Sequence, residues 1–165
     1  MTIKMKINFN YIILIAAALI IISGCERDDI CIDEITPHLT IRFYDNDDQI
    51  TFKKFEQLSV KILGFENDSI NFSLTDSIAI PLKTTDDVTQ FILTLDSNES
   101  TFNRDTLTVS YDREDIFVGR SCGFKTIFNN ADYTLSTGSE NWILDTESVT
   151  RIIDNETNAH VKIFH

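Results

Sequence analysis

The chain has 165 residues, with 14 Lys and Arg against 26 Asp and Glu, so its formal net charge is −12 at pH 7. A chain of this length buries enough surface for one self-sufficient core, and a single folded domain is the natural expectation. The acidic balance argues against nucleic acid as a partner, because nucleic-acid binding needs a basic footprint.

The first 24 residues have the pattern of a secretory signal. Lys4 and Lys6 are the only charges before Cys25, and residues 11–22 form an uncharged apolar run. A charged start followed by such a run is typical of a signal peptide. A spanning helix needs about 20 apolar residues, so a permanent transmembrane anchor is the weaker interpretation. We therefore predict that residues 1–24 are a signal peptide.

The residues around Cys25 indicate where the mature chain resides. The sequence "ISGC" resembles a bacterial lipobox, which implies a diacylglyceryl group on the Cys25 thiol, cleavage after Gly24 and acylation of the new amine. The alternative is a secreted protein with a chance cysteine. Glu26 does not match the enteric Asp rule for inner-membrane retention, and the acidic residues after Cys25 resemble surface-export tags of Bacteroidota-type bacteria. We predict a lipid-anchored protein of the outer membrane, in its periplasmic or surface leaflet.

The two remaining cysteines predict a disulfide. If Cys25 carries lipid, Cys31 and Cys122 are left as a pair in an oxidising compartment. A zinc site is the weaker alternative, because the chain has no Cys-x-x-Cys motif and three histidines. Only residues 26–30 lie between Cys25 and Cys31, and they span about 20 Å when extended. If both bonds form, the domain stays close to the bilayer.

Beyond Pro37 the apolar residues recur with a period of two. Leu39, Ile41 and Phe43, for example, alternate with polar neighbours, which is typical of a strand with one buried face. Segments rich in Asp, Asn, Ser and Gly, together with the charged segment "YDRED", separate these runs and are predicted to be turns. No segment sustains a helical apolar stripe. We predict an all-β domain over residues 39–165, a single antiparallel β-sandwich of Ig-like or Greek-key type with about ten short strands. Residues 25–38 are predicted to be the lipidated cysteine and a short tether.

The segment "CGFKTIF" predicts which way one strand faces. Cys122, Phe124, Thr126 and Phe128 share one face if the strand is regular. Two phenylalanines on that face indicate that it points inward. Cys122 would then meet Cys31 against the core as a structural bond.

Four stretches of the chain resemble a family of uncharacterised lipoproteins from Bacteroidota-type bacteria, catalogued as a domain of unknown function. They are TPHLTIRFYD, DSIAIPL, DTLTVSYDREDIFVGRSCGFKTIF and AHVKIFH. The resemblance covers the chain from about Cys25 to His165, and the placement of the three cysteines fits it. It implies a lipid-anchored, β-rich envelope protein. It implies no reaction, because the family has none assigned.

One short region combines basic and aromatic residues on an otherwise acidic chain. The candidate partner face consists of Arg113, Phe117, Arg120 and Lys125. Phe117 alternates away from its apolar neighbours, which favours exposure, and such a patch on a sheet suits a protein partner. The alternative is local ion pairing with the acidic residues at 112, 114 and 115.

The histidines and acidic clusters carry no recognisable catalytic or metal motif. No GxSxG or HExxH accompanies the three histidines, and His160 is predicted to lie on the surface of the last strand. The acidic stretch Asp45, Asp47 and Asp48 lacks the glycine of an EF-hand, because Ile50 stands there and "ITFKK" favours a strand. We predict a solvated turn, and no catalytic residue, metal or cofactor.

These observations favour an accessory or structural lipoprotein that docks on an envelope partner, in particular an outer-membrane β-barrel protein. The alternative is a ligand-binding module, for example for glycans. Such a module would need an exposed aromatic platform, and Trp142 is as compatible with the core as with the surface. A hydrolase has no supporting motif.

Overall fold

The structure, a computed structural model, describes residues 30–31, 35–65, 68–95, 103–136 and 141–165. These residues form nine strands and no helix. The part of the chain that the structure describes therefore contains no helix long and apolar enough to cross a membrane. The strands are β1 (Leu39–Tyr44), β2 (Phe55–Ile62), β3 (Ser69–Thr75), β4 (Ser77–Ile80), β5 (Val88–Leu95), β6 (Asn103–Gly119), β7 (Gly123–Leu135), β8 (Asp145–Ser148) and β9 (Val161–Phe164). The prediction of an all-β domain is therefore confirmed.

The strands form two sheets. One has the order β4-β1-β9-β8 and the other the order β3-β2-β5-β6-β7. Most neighbours are antiparallel, as predicted, but β1 and β9 run parallel, with Ile41 opposite Val161. A parallel pair needs a long connection rather than a hairpin. Here almost the whole domain lies between the two strands, and sequence periodicity carries no information on strand direction.

The β6–β7 hairpin is much longer than the short strands predicted. β6 has 17 residues and β7 has 13. The segment "YDRED", predicted as a turn, lies within β6, because its acidic side chains are exposed and bond across to β7. Thr126 Oγ1 donates to Asp115 Oδ1 at 2.7 Å, and Asn129 Nδ2 donates to Glu114 Oε2 at 2.9 Å.

The core draws side chains from both sheets. Residues of β1 alternate between buried and half-buried, as the sequence predicts. The ring of Phe43 lies edge-on to that of Phe55 in the other sheet, with centroids 5.1 Å apart, and is stacked with Trp142 at 6.3 Å. Trp142 is 7% exposed, and its indole N–H donates to the Leu93 carbonyl at 3.3 Å. The single tryptophan of the chain is therefore a core residue.

A buried carboxylate holds the segment that carries Trp142. Asp105 is almost fully buried in β6, and its Oδ2 accepts the Ile143 N–H at 2.8 Å. Burial raises the pKa of this carboxyl group, although the backbone N–H donors of Ile143 and Trp142 oppose that shift. The bond fixes residues 141–143 so that the indole and the Ile143 side chain reach the core.

Part of the predicted tether is bonded to the domain. The Thr126 N–H donates to Thr36 Oγ1 at 3.0 Å, and Pro37 is buried. The His38 N–H donates to Glu156 Oε1 at 2.8 Å. Residues 36–38 therefore pack with the strands, within a compact unit that runs from Ile32 to His165.

His160 is buried just before β9, so the prediction of a surface histidine is wrong. The side chain is 3% exposed. The Thr40 N–H donates to Nδ1 at 2.9 Å, so the ring proton sits on Nε2, which donates to the Asn155 carbonyl at 2.9 Å. Periodicity within the last strand could not reveal this pairing, because both partners lie outside it.

This environment predicts an acid-sensitive fold. Burial lowers the pKa of His160 below its ordinary value of 6.5, although Asn155 and nearby acidic residues oppose the shift. Burial also lowers the pKa of His165. As the pH falls, the histidines of the unfolded chain are therefore protonated before those of the folded chain. The stability that the two neutral, buried histidines provide is complete above about pH 6.5 and is lost as the pH falls through their folded pKa values. Each histidine can contribute a slope of at most about 1.4 kcal/mol per pH unit.

Denaturant titrations between pH 7.5 and 5 measure this slope. The free energy of unfolding of His160→Gln should depend less steeply on pH than that of the parent protein. The dependence that remains is the contribution of His165. The comparison uses slopes, so a uniform loss of stability in the variant does not affect it. A slope unchanged by the substitution would contradict the assignment.

Candidate functional site: the tip of the β6–β7 hairpin

The disulfide predicted from the sequence is confirmed: Cys31 is bonded to Cys122. Cys122 lies in the turn between β6 and β7 and is half-buried, and Cys31 is exposed. The prediction that Cys122 is buried against the core is therefore wrong. The bond sits at the end of the long hairpin. Cys25 lies outside the described residues.

The far half of the hairpin extends past its sheet. β5 pairs with β6 only from Asn103 to Ser110. From Asp112 to Gly119, β6 pairs with β7 and with no other strand of the described residues. Near Arg113 the hairpin is still supported, because Phe128, which pairs with Arg113, exchanges hydrogen bonds with Ile153. Toward its turn the hairpin becomes a two-stranded ribbon, a unit that is marginal by itself in water.

The end of this ribbon exposes aromatic rings. We call residues 116–125 the hairpin tip. Phe117 and Phe124 pair across the strands, with ring centroids 5.3 Å apart, and are 58% and 69% exposed. Ile116 beside them is partly exposed. The prediction that Phe117 is exposed is confirmed, and the prediction that Phe124 points inward is wrong.

A tight turn closes the tip. Gly119 pairs with Gly123, and Arg120, Ser121 and Cys122 connect them. Gly123 has φ +73°, a conformation that glycine adopts without steric cost. The turn places Arg120 in solvent at the extreme end of the hairpin.

The hairpin tip differs in charge from the rest of the chain. Its residues include Arg120 and Lys125 and no Asp or Glu, although the whole chain has 26 acidic residues. The acidic side chains nearest in sequence belong to residues 112–115, and Asp115 and Glu114 bond to β7 as described above. The tip is therefore a small basic and aromatic surface.

Arg113 does not belong to this surface. Its Nε donates to Asp87 Oδ1 at 2.7 Å and its Nη1 donates to the Thr84 carbonyl at 2.7 Å. The hydrogen bond to Asp87 raises the pKa of the guanidinium. The candidate partner face is thus divided: Arg113 holds the loop before β5, and Phe117, Arg120 and Lys125 lie on the tip. Sequence reasoning missed Asp87 as the partner and Phe124 as part of the tip.

The acidic stretch before β2 is a turn stabilised by hydrogen bonds from its backbone N–H groups to the side chain of Asp45. Asp45 Oδ1 accepts the N–H groups of Asp47 and Asp48 at 2.8 and 3.3 Å, which lowers the pKa of Asp45. Lys53 Nζ lies 3.3 Å from Asp45 Oδ2. Ile50 is part of this turn, so no strand begins there. Within the described ranges, no group of three or more His, Cys, Asp or Glu could hold a metal ion.

A second surface feature is an open cleft of about 580 Å³ next to β9. Tyr44, Ile152, Asp154 and Asn158 are among its lining residues, with Lys162. Lys162 is held by Glu147, with Nζ 3.0 Å from Oε1. Because Trp142 is in the core, it offers no platform to a ligand in this cleft.

Comparison with known proteins places the chain in a family. The model of a family of unknown function (DUF6452) matches residues 59–165. The chain belongs to this family. The match contains the hairpin tip and Cys122 and begins after Cys31, and it confirms the expectation of an unknown-function family. No curated protein and no solved structure matches the chain.

Proposed function

We propose that the protein is an outer-membrane lipoprotein, anchored through lipid on Cys25, that acts as an accessory subunit and docks on an outer-membrane partner such as a β-barrel protein. The supporting observation is the Cys31–Cys122 disulfide. It ties the domain to a residue six positions after the predicted attachment point. The intervening residues 26–30 span at most about 20 Å. A domain held so close to a membrane suits a subunit of a membrane assembly.

The finer fold proposal is a β-sandwich, with Ig-like or Greek-key connections. Two observations support it. Thr75 ends β3 in one sheet and Ser77 begins β4 in the other, so the chain changes sheets across Asp76. The Phe43 and Phe55 rings contact each other between the sheets. Side chains from two sheets that meet in one core are typical of sandwiches.

The anchor is tested by mass spectrometry and fractionation of protein from its native host. The mature N-terminus is expected to begin at Cys25 with acyl chains attached. With residues 1–24 replaced by a secretory signal whose cleavage does not require a cysteine, Cys25→Ala is expected to move the protein from the membrane fraction to the aqueous fraction, because the acyl chains supply the attachment. An unmodified Cys25, or a membrane fraction unchanged by the substitution, would reject the anchor.

The partner is tested by a pull-down through a C-terminal tag in mild detergent. One membrane protein is expected to be recovered in a stoichiometric amount. The Cys25→Ala variant is the control, because without its lipid anchor it should not be held at the membrane in which the partner resides. Recovery of the lipoprotein alone would reject the docking role and leave the anchor untouched.

The second candidate is glycan binding, and the cleft beside β9 is the observation that favours it. Tyr44 supplies an aromatic wall, and Asp154 and Asn158 supply hydrogen-bonding groups. Sites for small molecules combine apolar walls with a few polar groups in this way. Calorimetric titration with glycan fragments tests it, and Asn158→Ala should weaken any binding. Absence of heat with every fragment would remove this candidate.

A further inference from the structure

We propose that the hairpin tip is a second membrane contact, in which Phe117 and Phe124 enter the interfacial layer of the bilayer that holds the lipid anchor. This inference rests on the proposed function for the anchor at Cys25. It adds a lipid surface as the ligand of the tip. The protein would then attach to the membrane at two points, the acyl chains on Cys25 and the hairpin tip.

The first argument is proximity. Cys122 lies in the turn of the tip and is bonded to Cys31. From Cys31 back to Cys25 the chain can span no more than about 20 Å. The tip is therefore tied covalently near the acyl chains. A bilayer is always within that distance of a lipidated Cys25, whereas a protein partner is present only when it binds.

The second argument is the chemistry of the exposed side chains. Phe117 and Phe124 form an aromatic pair with most of its surface in solvent, next to the partly exposed Ile116. Apolar side chains of this kind bind the boundary between headgroups and acyl chains, where their burial is favourable. A shallow position also suits a hairpin whose outer backbone groups still need water or headgroups as partners.

The third argument is charge. The domain is strongly acidic and is repelled as a whole by anionic lipids. Residues 116–125, however, carry Arg120 and Lys125 and no acidic residue. Basic residues close to a membrane surface are attracted to anionic headgroups over about a Debye length. Within the hairpin, the charge pattern therefore favours membrane contact at the tip, where Arg120 is exposed.

The fourth argument is reach. β6 continues nine residues past Ser110, where its pairing with β5 ends. The ribbon can thus bring its rings to a membrane without burying the five-stranded sheet. A protein loop in the interfacial layer would add a second attachment to that of the acyl chains on Cys25.

Fluorescence quenching by lipid tests the contact directly. The full-length lipidated protein is reconstituted into vesicles of phosphatidylethanolamine and phosphatidylglycerol with acyl chains brominated near the headgroup. Phe124→Trp places a reporter on the tip. Trp142 is buried in every variant, so the parent protein supplies its constant signal. We expect the emission added at position 124 to fall by about half, because the indole would lie among the brominated chains.

Phe52→Trp is the matched control. Phe52 is 51% exposed and precedes β2, at the end of the sheet where β5 ends and β6 begins, away from the tip. Its added emission should fall by less than about a tenth, because only residues near the bilayer meet bromine. Phe117→Trp repeats the test at the paired position and guards against misfolding of one variant. Equal quenching at 124 and 52 would overturn the proposal.

Flotation of the same vesicles separates this inference from the anchor. Protein that fails to float, or lacks acyl chains by mass, would reject the proposed function together with the inference. Protein that floats with an unquenched reporter would reject the tip contact alone. A photoreactive phenylalanine at position 124 in native membranes should crosslink to lipid. A crosslink to one protein would instead assign the tip to a protein partner and overturn the membrane contact.

Discussion

Phe43→Ala is expected to lower the free energy of unfolding by about 3–5 kcal/mol. The side chain is fully buried on β1, and its ring contacts Phe55 of the other sheet and Trp142. Truncation removes the packing between two sheets and leaves a cavity that neighbouring β-strands cannot easily close. Denaturant unfolding followed through the fluorescence of Trp142 measures the loss.

Phe52→Ala is the matched substitution at an exposed ring. Phe52 lies under the guanidinium of Arg42, which is 4.2 Å from the ring centroid, and half of its side chain is in solvent. Its removal should cost at most about 1 kcal/mol. Similar losses for both phenylalanines would mean that Phe43 does not lie in a packed interior.

The sequence predicted this part of the core for a physical reason. Leu39, Ile41 and Phe43 recur with a period of two, and all three are fully buried. Period-two alternation is a direct consequence of strand geometry, so it survives any arrangement of sheets. The disulfide was likewise predicted without knowing the strand order, because Cys31 and Cys122 are the thiols that remain if Cys25 carries lipid.

Features that depend on partners distant in sequence were not predicted. Asp105 stands in a polar-looking segment, yet its carboxylate is buried by the loop around Ile143. His160 is buried by its bonds to Thr40 and Asn155. Asp105 shares the period-two positions of Leu107 and Val109, but its polar side chain argued against burial, and His160 alternates with Val161 and Ile163 as a surface residue would. Their burial follows from segments that fold over them, and a single sequence does not show which segments meet.

The hairpin tip shows the same limit within one element. Alternation places Phe124, Thr126 and Phe128 on one face, but it does not tell which positions of that face are covered. Thr126 and Phe128 are buried, and Phe124 on the same face is exposed. The difference arises because Phe128 exchanges backbone hydrogen bonds with Ile153 and the Thr126 N–H is bonded to Thr36, whereas Phe124 lies at the end of the hairpin next to its turn. These covering segments are distant in sequence, so periodicity does not reveal them.

Removing the disulfide is expected to have the other large effect. The pair Cys31→Ser and Cys122→Ser opens a loop of about 90 residues in the unfolded chain, and loop closure of this size contributes about 3–5 kcal/mol to stability. Cys31 is exposed and Cys122 half-buried, so serine leaves no core cavity at either position. Chemical unfolding of the double variant beside the oxidised parent measures the difference.

The reduced parent protein is the control for that comparison, because it opens the same loop without any change of side chain. Reduced parent and double variant should therefore unfold at the same denaturant concentration, both below the oxidised protein. The loss should leave the packing around Trp142 intact, so the emission of the folded state should not shift. A double variant as stable as the oxidised parent would mean that the tip is already fixed by noncovalent contacts. The hydrogen bond from the Thr126 N–H to Thr36 Oγ1 would be the first such contact to remove, because it joins β7 to the segment that follows Cys31.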